Sequence, residues 1–242
     1  MKLRTPEDIK KLGVILGVWA HPDDETFSSG GILANAIANG QRVVCLTATS
    51  GEQGVQDELK WPRSKLAEIR KAEHDEAYKI LGITEHHWLG YKDGLCKSNN
   101  LVAIETIRQF INKIQPDTIL TFGADGLTGH TDHQAVHKWV TKANISAEKK
   151  AKIYQAVITT EQYEASLIRL DERLNFFFNI DHPKLKKEKD CDICLNLDKE
   201  LFDIKYRALQ AMPSQTQKMM DIFDRGTLVS AFSTEAFIKY NS

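Results

Sequence analysis

Cysteine is scarce in this chain of 242 residues: there are four, Cys45, Cys96, Cys191 and Cys194. Cys45 and Cys191 fall in segments of different character, and nothing suggests the disulfide framework of a small extracellular protein. Cys191 and Cys194 form a C-x-x-C, but no second pair or nearby histidine completes a zinc ribbon. Their setting, KKEKDCDICLNLD, is not the strand-to-helix turn of a thioredoxin-like redox pair either, so two ordinary thiols are expected. An excess of charge of one sign is missing too. With 32 Lys+Arg against 33 Asp+Glu the net charge is −1, which argues against a partner made of nucleic acid or another polyanion. Long hydrophobic runs are absent. The longest, from Val14 to Ala20, is broken by Gly17 and falls far short of a bilayer span, so no membrane partner is expected. The first residues, MKLRTPEDIKKLG, lack the apolar core of a secretory leader, which predicts a cytoplasmic protein.

What is present describes a folded α/β protein. Hydrophobic residues make up 42% and charged residues 27%, which excludes intrinsic disorder. A chain of this length suits one α/β domain and buries roughly 70–75% of its unfolded surface without disulfide or metal staples. Its first half alternates strand-like and helix-like runs. VILGVWA (14–20) and RVVCLTAT (42–49) are near-continuous apolar segments, as in strands buried on both faces. A short helix is expected after Gly30-Gly31, an amphipathic one over 63–81, and another over 101–114 closed by Pro116. HHWLG (86–90) and DTILTF (117–122) read as further strands. This alternation predicts a mostly parallel sheet with helices on both faces. In the second half, 152–160 and 173–180 read as strands, 198–212 as a helix and 182–190 as a solvated basic loop. No repeat or low-complexity segment divides the chain, so 1–242 is expected to be one domain. Within it, 1–140 forms the core around a site and 141–242 shapes a pocket.

Two polar clusters stand where such sheets bind ligands, just past the carboxyl ends of strands. The first, Ala20-His21-Pro22-Asp23-Asp24-Glu25, follows the first strand. Acids capping a helix start are the plain structural reading of its Asp-Asp-Glu. The second, Gly123 to His137, follows the fourth strand and supplies His130, Asp132, His133 and His137. A helix starting near 133 puts His133 and His137 on one face, both able to ligate, with His137 expected on the helix surface or behind the ligands. Together the clusters suggest His21, Asp24 and His133 around a divalent ion, zinc by donor type, with positions left open for catalysis. Asp23 then stands as general base. His130 would serve the oxyanion or the leaving amine, with Asp132 orienting its ring.

These residues resemble the PIG-L/LmbE family of metal-dependent de-N-acetylases, which pairs Ala-His-Pro-Asp-Asp-Glu with a later Gly-His-x-Asp-His. Leu46 to Gly54, LTATSGEQG, resembles the family's second-strand ending, Thr-x-Gly-Glu-x-Gly. Arg70-x-x-Glu73, Leu81-Gly82 and Asp93-Gly94 resemble the helix and substrate loop between the metal motifs. The resemblance covers roughly 12–140. It implies a Rossmann-like fold and hydrolysis of an N-acetyl group from a glucosamine-containing small molecule. Carried over position by position, it implies His21, Asp24 and His133 as ligands to zinc or another divalent metal. It likewise implies Asp23 as base, His130 as acid or oxyanion partner, Arg70 and Asp93 at the sugar, and Glu73 and Asp132 in support. Read alone, Arg70 is an ordinary exposed helix residue.

The chain also departs from the family pattern. Thr131 stands where proline is common, Met212 where histidine is common, and no tyrosine near the oxyanion is evident in Gly126-Leu127-Thr128. Two other readings stay open: a metallohydrolase of the same architecture acting on a different acylated amine, and a non-catalytic sugar- or nucleotide-binding module. The second would want Gly-x-Gly-x-x-Gly after the first strand, where this chain has His-Pro-Asp-Asp. A homo-oligomer is left open as well.

Overall fold

In the computed structural model, which describes residues 2–241, the apolar runs become the middle of a sheet. Ile15–Trp19 (β1), Val43–Thr49 (β2) and Thr118–Phe122 (β4) are buried at every residue. Burial on both faces is why they show no polar alternation. Glu85–Tyr91 (β3) lies at an edge and is only partly buried. Lys152–Thr159 (β5) lies on the other side of β4. The order is β3-β2-β1-β4-β5, all parallel, continued by two late strands, Thr234–Lys239 (β8) and Ile193–Asn196 (β7). β8 runs antiparallel to both β5 and β7, and a two-residue strand, Leu185–Lys186 (β6), pairs with the end of β5. The result is a mostly parallel mixed sheet in an α/β fold.

Helices Asp24–Ala38 (α1) and Leu66–Leu81 (α2) pack on one face together with a late helix, Lys199–Gln210 (α7). Leu101–Ile114 (α3) and Thr131–Ile145 (α4) pair on the other. Between β5 and β6 a helical stretch comprises Thr160–Gln162 (α5), one π-helical turn at Tyr163–Leu167 and Ile168–Leu174 (α6). Pro213–Ile222 (α8) and Arg225–Phe232 (α9) lead into β8. The core is centred on fully buried Trp19, Phe122, Trp139 and Phe237, with Trp19 and Phe122 edge to face at 5.1 Å. Among the described residues no helix is long and apolar enough to cross a membrane. All four cysteines are buried and free.

Three expectations need correction. Helix α1 begins at Asp24 rather than after Gly30-Gly31, so the acids of the first cluster form its first turn. Residues 173–180 are not a strand. Leu174 ends α6, Asn175 turns the chain at φ 53°, and the Asp171 carboxylate accepts from Phe177 N–H. Those phenylalanines are apolar because Phe176 packs on Phe27 and Phe232, not because they pair in a sheet. Of the two places expected for His137, the helix surface is excluded: the residue is buried, its Nδ1 3.0 Å from Phe122 O and 3.2 Å from the Gln155 amide.

Candidate active site

Strands β1 and β4 are neighbours, aligned Ile15 to Thr118 and Gly17 to Leu120, while β2 lies on one side and β5 on the other. Strand order therefore reverses between them, and the loops leaving their carboxyl ends part to opposite faces. That crevice is where open α/β sheets bind ligands. Both polar clusters emerge into it. The side chain and backbone N–H of Thr49 both donate to Ala20 O, which pins the first loop to the end of β2.

His21, Asp24 and His133 meet there. His21 Nδ1 lies 3.1 Å from His133 Nε2 and 3.5 Å from Asp24 Oδ2, and His133 Nε2 lies 3.3 Å from Asp24 Oδ1. His133 stacks on Phe122 at 4.0 Å, and its Nδ1 lies 2.9 Å from Gly126 O. That contact keeps the proton on Nδ1 and turns the Nε2 lone pair toward His21. Two imidazole nitrogens facing each other beside a carboxylate call for a positive charge between them. His21 also groups with His130 and His133, and separately with Asp93 and Asp132, with ligand atoms within 4.8 Å of one another. The donor set fits a divalent ion with open positions. On its far side, His21 Nε2 is buried and lacks a well-directed hydrogen bond, although Asp93 Oδ1 is 3.0 Å away and Asp132 Oδ2 3.4 Å. Carboxylates behind a ligand histidine hold the proton on the outer nitrogen.

Burial raises the pKa of Asp24, but the His133 and His21 imidazoles outweigh it and keep the carboxylate ionised. Its neighbour Asp23 differs. Burial pushes it up to about 7, against the pull of the Arg70 guanidinium. Its backbone has φ 129°, a region that costs a residue with a Cβ strain and that clusters at functional sites. Two adjacent acids thus hold opposite protonation tendencies, as acid–base chemistry near neutral pH requires.

The remaining expected site residues are held in ways the sequence did not show. Arg70 is buried, not exposed. It donates to Gly51 O and Pro22 O and lies 3.1 Å from Asp23 Oδ2, tying the second-strand loop to the first cluster. Gly51, at φ 66°, has no room for a Cβ against that guanidinium. Asp93 accepts from Gln53 N–H, and burial, which opposes ionisation, is outweighed by His21, so its pKa falls to about 2. Asp132 does not turn to the His130 ring. Its carboxylate accepts from Gly94 and Cys96 N–H, and it is the Asp132 backbone N–H that donates to His130 Nδ1. His130 stands edge-on to His21, ring centres 4.6 Å apart. Glu73 accepts from the Ser214 backbone and hydroxyl, bracing α2 against α8 away from the donors, while Met212 packs in the core. Glu25 points inward, its pKa pushed up to about 8 by burial.

The fold and this donor cluster define an α/β protein with a metal-capable site at the switch point of its sheet. The chain belongs to the PIG-L family: residues 16–144 match the family described as GlcNAc-PI de-N-acetylase. A relative from Saccharomonospora viridis, 1D-myo-inositol 2-acetamido-2-deoxy-alpha-D-glucopyranoside deacetylase, is 28% identical over 253 residues, 93% of this chain and 94% of the relative. Among solved structures, N,N'-diacetylchitobiose deacetylase from Pyrococcus horikoshii superposes with a TM-score of 0.66 at 19% identity, covering 96% of this chain and 85% of that one. The 4-carboxy-2-hydroxymuconate hydratase GalB of Pseudomonas putida superposes with a TM-score of 0.64 at 15% identity, covering 95% and 97%. A hydratase on this fold means that architecture alone does not decide the reaction, and the site must.

Proposed function

We propose that this protein is a metal-dependent N-deacetylase. It hydrolyses the N-acetyl amide of a small N-acetylglucosamine-containing conjugate, releasing acetate and the free amine. The observation that carries this reading is the meeting of His21 Nδ1 and His133 Nε2 3.1 Å apart, with Asp24 Oδ2 3.5 Å from the first and Asp24 Oδ1 3.3 Å from the second, beside the half-buried Asp23, whose pKa is pushed up to about 7. The substrate class follows the acetamido-glucopyranoside named for the S. viridis relative.

His21, Asp24 and His133 are the residues that would hold the ion, and their nitrogen and oxygen donors suit zinc. Bound there, zinc supplies Lewis acidity toward the amide carbonyl and toward water. Asp23 takes the proton of the attacking water and delivers it to the departing amine, with Arg70 fixing the carboxylate from behind. His130, at the mouth beside His21, donates to the oxygen that becomes negative as the carbonyl is attacked. Asp93 and Asp132 hold His21 from its outer nitrogen. Arg70 and Asp93, expected at the sugar, are buried and tied to Gly51 O, Pro22 O and Gln53 N–H, so they brace the loops around the donors instead.

The test is acetate release from a panel of N-acetylglucosaminides set against other N-acetylated amines, using zinc-loaded protein. Turnover confined to the glucosaminides upholds the reading. Turnover only of non-sugar amides transfers the chemistry to another substrate class, and no acetate from any member overturns it.

A further inference from the structure

Strand β5 enters the sheet at Lys152 and β8 leaves it at Lys239, so both lysines stand at the end of the sheet opposite to the donor cluster. Between them and the end of α4 opens a recess of about 390 Å³, a volume within the range of small-molecule sites. Lys150, Lys152 and Lys239 line it, all three are exposed, and among the described residues no carboxylate stands in its wall. Acids of the neighbouring loops are engaged elsewhere. Asp117 pairs with Lys149, Glu148 accepts from the Asn112 amide, and Asp192 accepts from the Lys239 backbone N–H. Three like charges around one recess repel each other, and a net charge of −1 for the whole chain hides them.

The floor between the lysines is apolar and fixed. Ala151 and Ile153 are buried, the Asn144 side chain both donates to Ala151 O and accepts from Ala151 N–H, and the Tyr240 N–H donates to Ile153 O. Beside them Ile145 is 56% exposed, an apolar side chain that the fold leaves uncovered. Low-dielectric walls under clustered charge of one sign focus the field on whatever enters. The donor type narrows the ligand. A planar carboxylate is best matched by the arginine fork, and among the described residues no arginine lines this recess. Lysine is a point charge that meets one oxygen at a time, so three separate ammonium groups suit the several oxygens of a phosphate. A recess, as opposed to a basic stripe, limits the ligand to a small molecule.

We propose that this recess binds a phosphorylated small molecule carrying at least two negative charges. Its phosphate oxygens lie on Lys150, Lys152 and Lys239, and its organic part lies against Ile145, Ile153 and Tyr240. The site is separate from the donor cluster and does not depend on the reaction assigned there.

The experiment titrates ADP and, in parallel, pyrophosphate into the whole chain and follows the backbone amides by NMR. ADP is expected to shift the Ala151, Ile153 and Tyr240 amides saturably. The Lys150→Gln, Lys239→Gln double variant, altered only at exposed side chains, is expected to bind about tenfold more weakly, and a change below about threefold overturns the proposal. Shifts confined to the surroundings of His21 and His133 would place the probe at the donor cluster and overturn it too. No saturable shift up to about 10 mM of either probe has the same consequence. Pyrophosphate binding more weakly than ADP upholds the seat for an organic group, and pyrophosphate binding as tightly or more tightly overturns that part.

Discussion

Lys205 Nζ lies 2.8 Å from Glu235 Oε1, and both side chains are completely buried. The pair reaches into helix α1 one turn past the donor cluster. Lys205 donates to Phe27 O, while the two Glu235 oxygens accept from Gly31 and Ile32 N–H. A lysine of α7 and a glutamate of β8 thus fix the helix whose first turn carries Asp24. Removing one partner strands a buried charge, which costs about 3–5 kcal/mol. Lys205→Met should lower the unfolding free energy measured in urea by that amount. The Lys205→Met, Glu235→Gln double variant should lose less than the sum of the two single losses. Simple additivity would show that the ions act independently.

Asp132 holds the 93–96 loop rather than the His130 ring. Its two oxygens accept from Gly94 and Cys96 N–H at 2.8 and 3.1 Å. Asp132→Asn keeps one acceptor and sets an amide N–H against the other backbone donor. Losing a hydrogen bond to a charged group costs about 1.5–3 kcal/mol. Hydrogen exchange at the Gly94 and Cys96 amides should accelerate by at least about tenfold, and unchanged exchange at both would remove the assignment.

Both polar clusters and the strands that carry them were legible because parallel strands buried on both faces leave long apolar runs that end abruptly in polar loops. Adjacency of β1 and β4 then follows from where the strand order reverses, which brings His21 and His133 together across more than a hundred residues. Other features left no local trace. Arg70 sits in a charged helix and looks solvated, because nothing in its own segment announces the carbonyls of Pro22 and Gly51 that receive it. Phe176 and Phe177 imitate a strand, since an aromatic loop packed on α9 has the same composition as an apolar strand. β7 is four residues long and β8 contains the buried Glu235, whose partner lies on α7, so neither shows a clean period.

Ligand and base make opposite predictions about metal content. His133→Ala removes one of three converging donors, and zinc measured by elemental analysis of the purified variant should fall well below one per chain. Asp23→Asn leaves the donors in place, so zinc should stay near one per chain while turnover drops by about 10²–10⁴, the usual contribution of a general base. Full zinc in the first variant would refute the ligand set. Near-normal turnover in the second would refute the base.

His74 carries an acid sensitivity that is separate from the site. It is fully buried on α2 between Tyr78, His86 and Trp88, with ring centres 3.8, 4.4 and 4.8 Å away, and neither ring nitrogen has a hydrogen-bond partner. Burial, with the His86 and Arg70 charges, pushes its pKa down to about 2, and the nearest acid, Asp75, is 3.7 Å away on the surface. In the unfolded chain the ring titrates near 6.5, so acid favours unfolding: the unfolded state binds a proton that the folded state refuses. Stability from this residue is intact above about pH 6.5 and declines as pH falls toward 2. The slope approaches about 1.4 kcal/mol per unit, or about 2 kcal/mol between pH 6.5 and 5. His74→Phe keeps the aromatic packing and removes the proton site. Urea unfolding at a series of pH values should therefore show the variant losing about 2 kcal/mol less than the parent over that interval. Parallel pH profiles for the two proteins would mean that the imidazole finds a proton acceptor, or water, in the folded state.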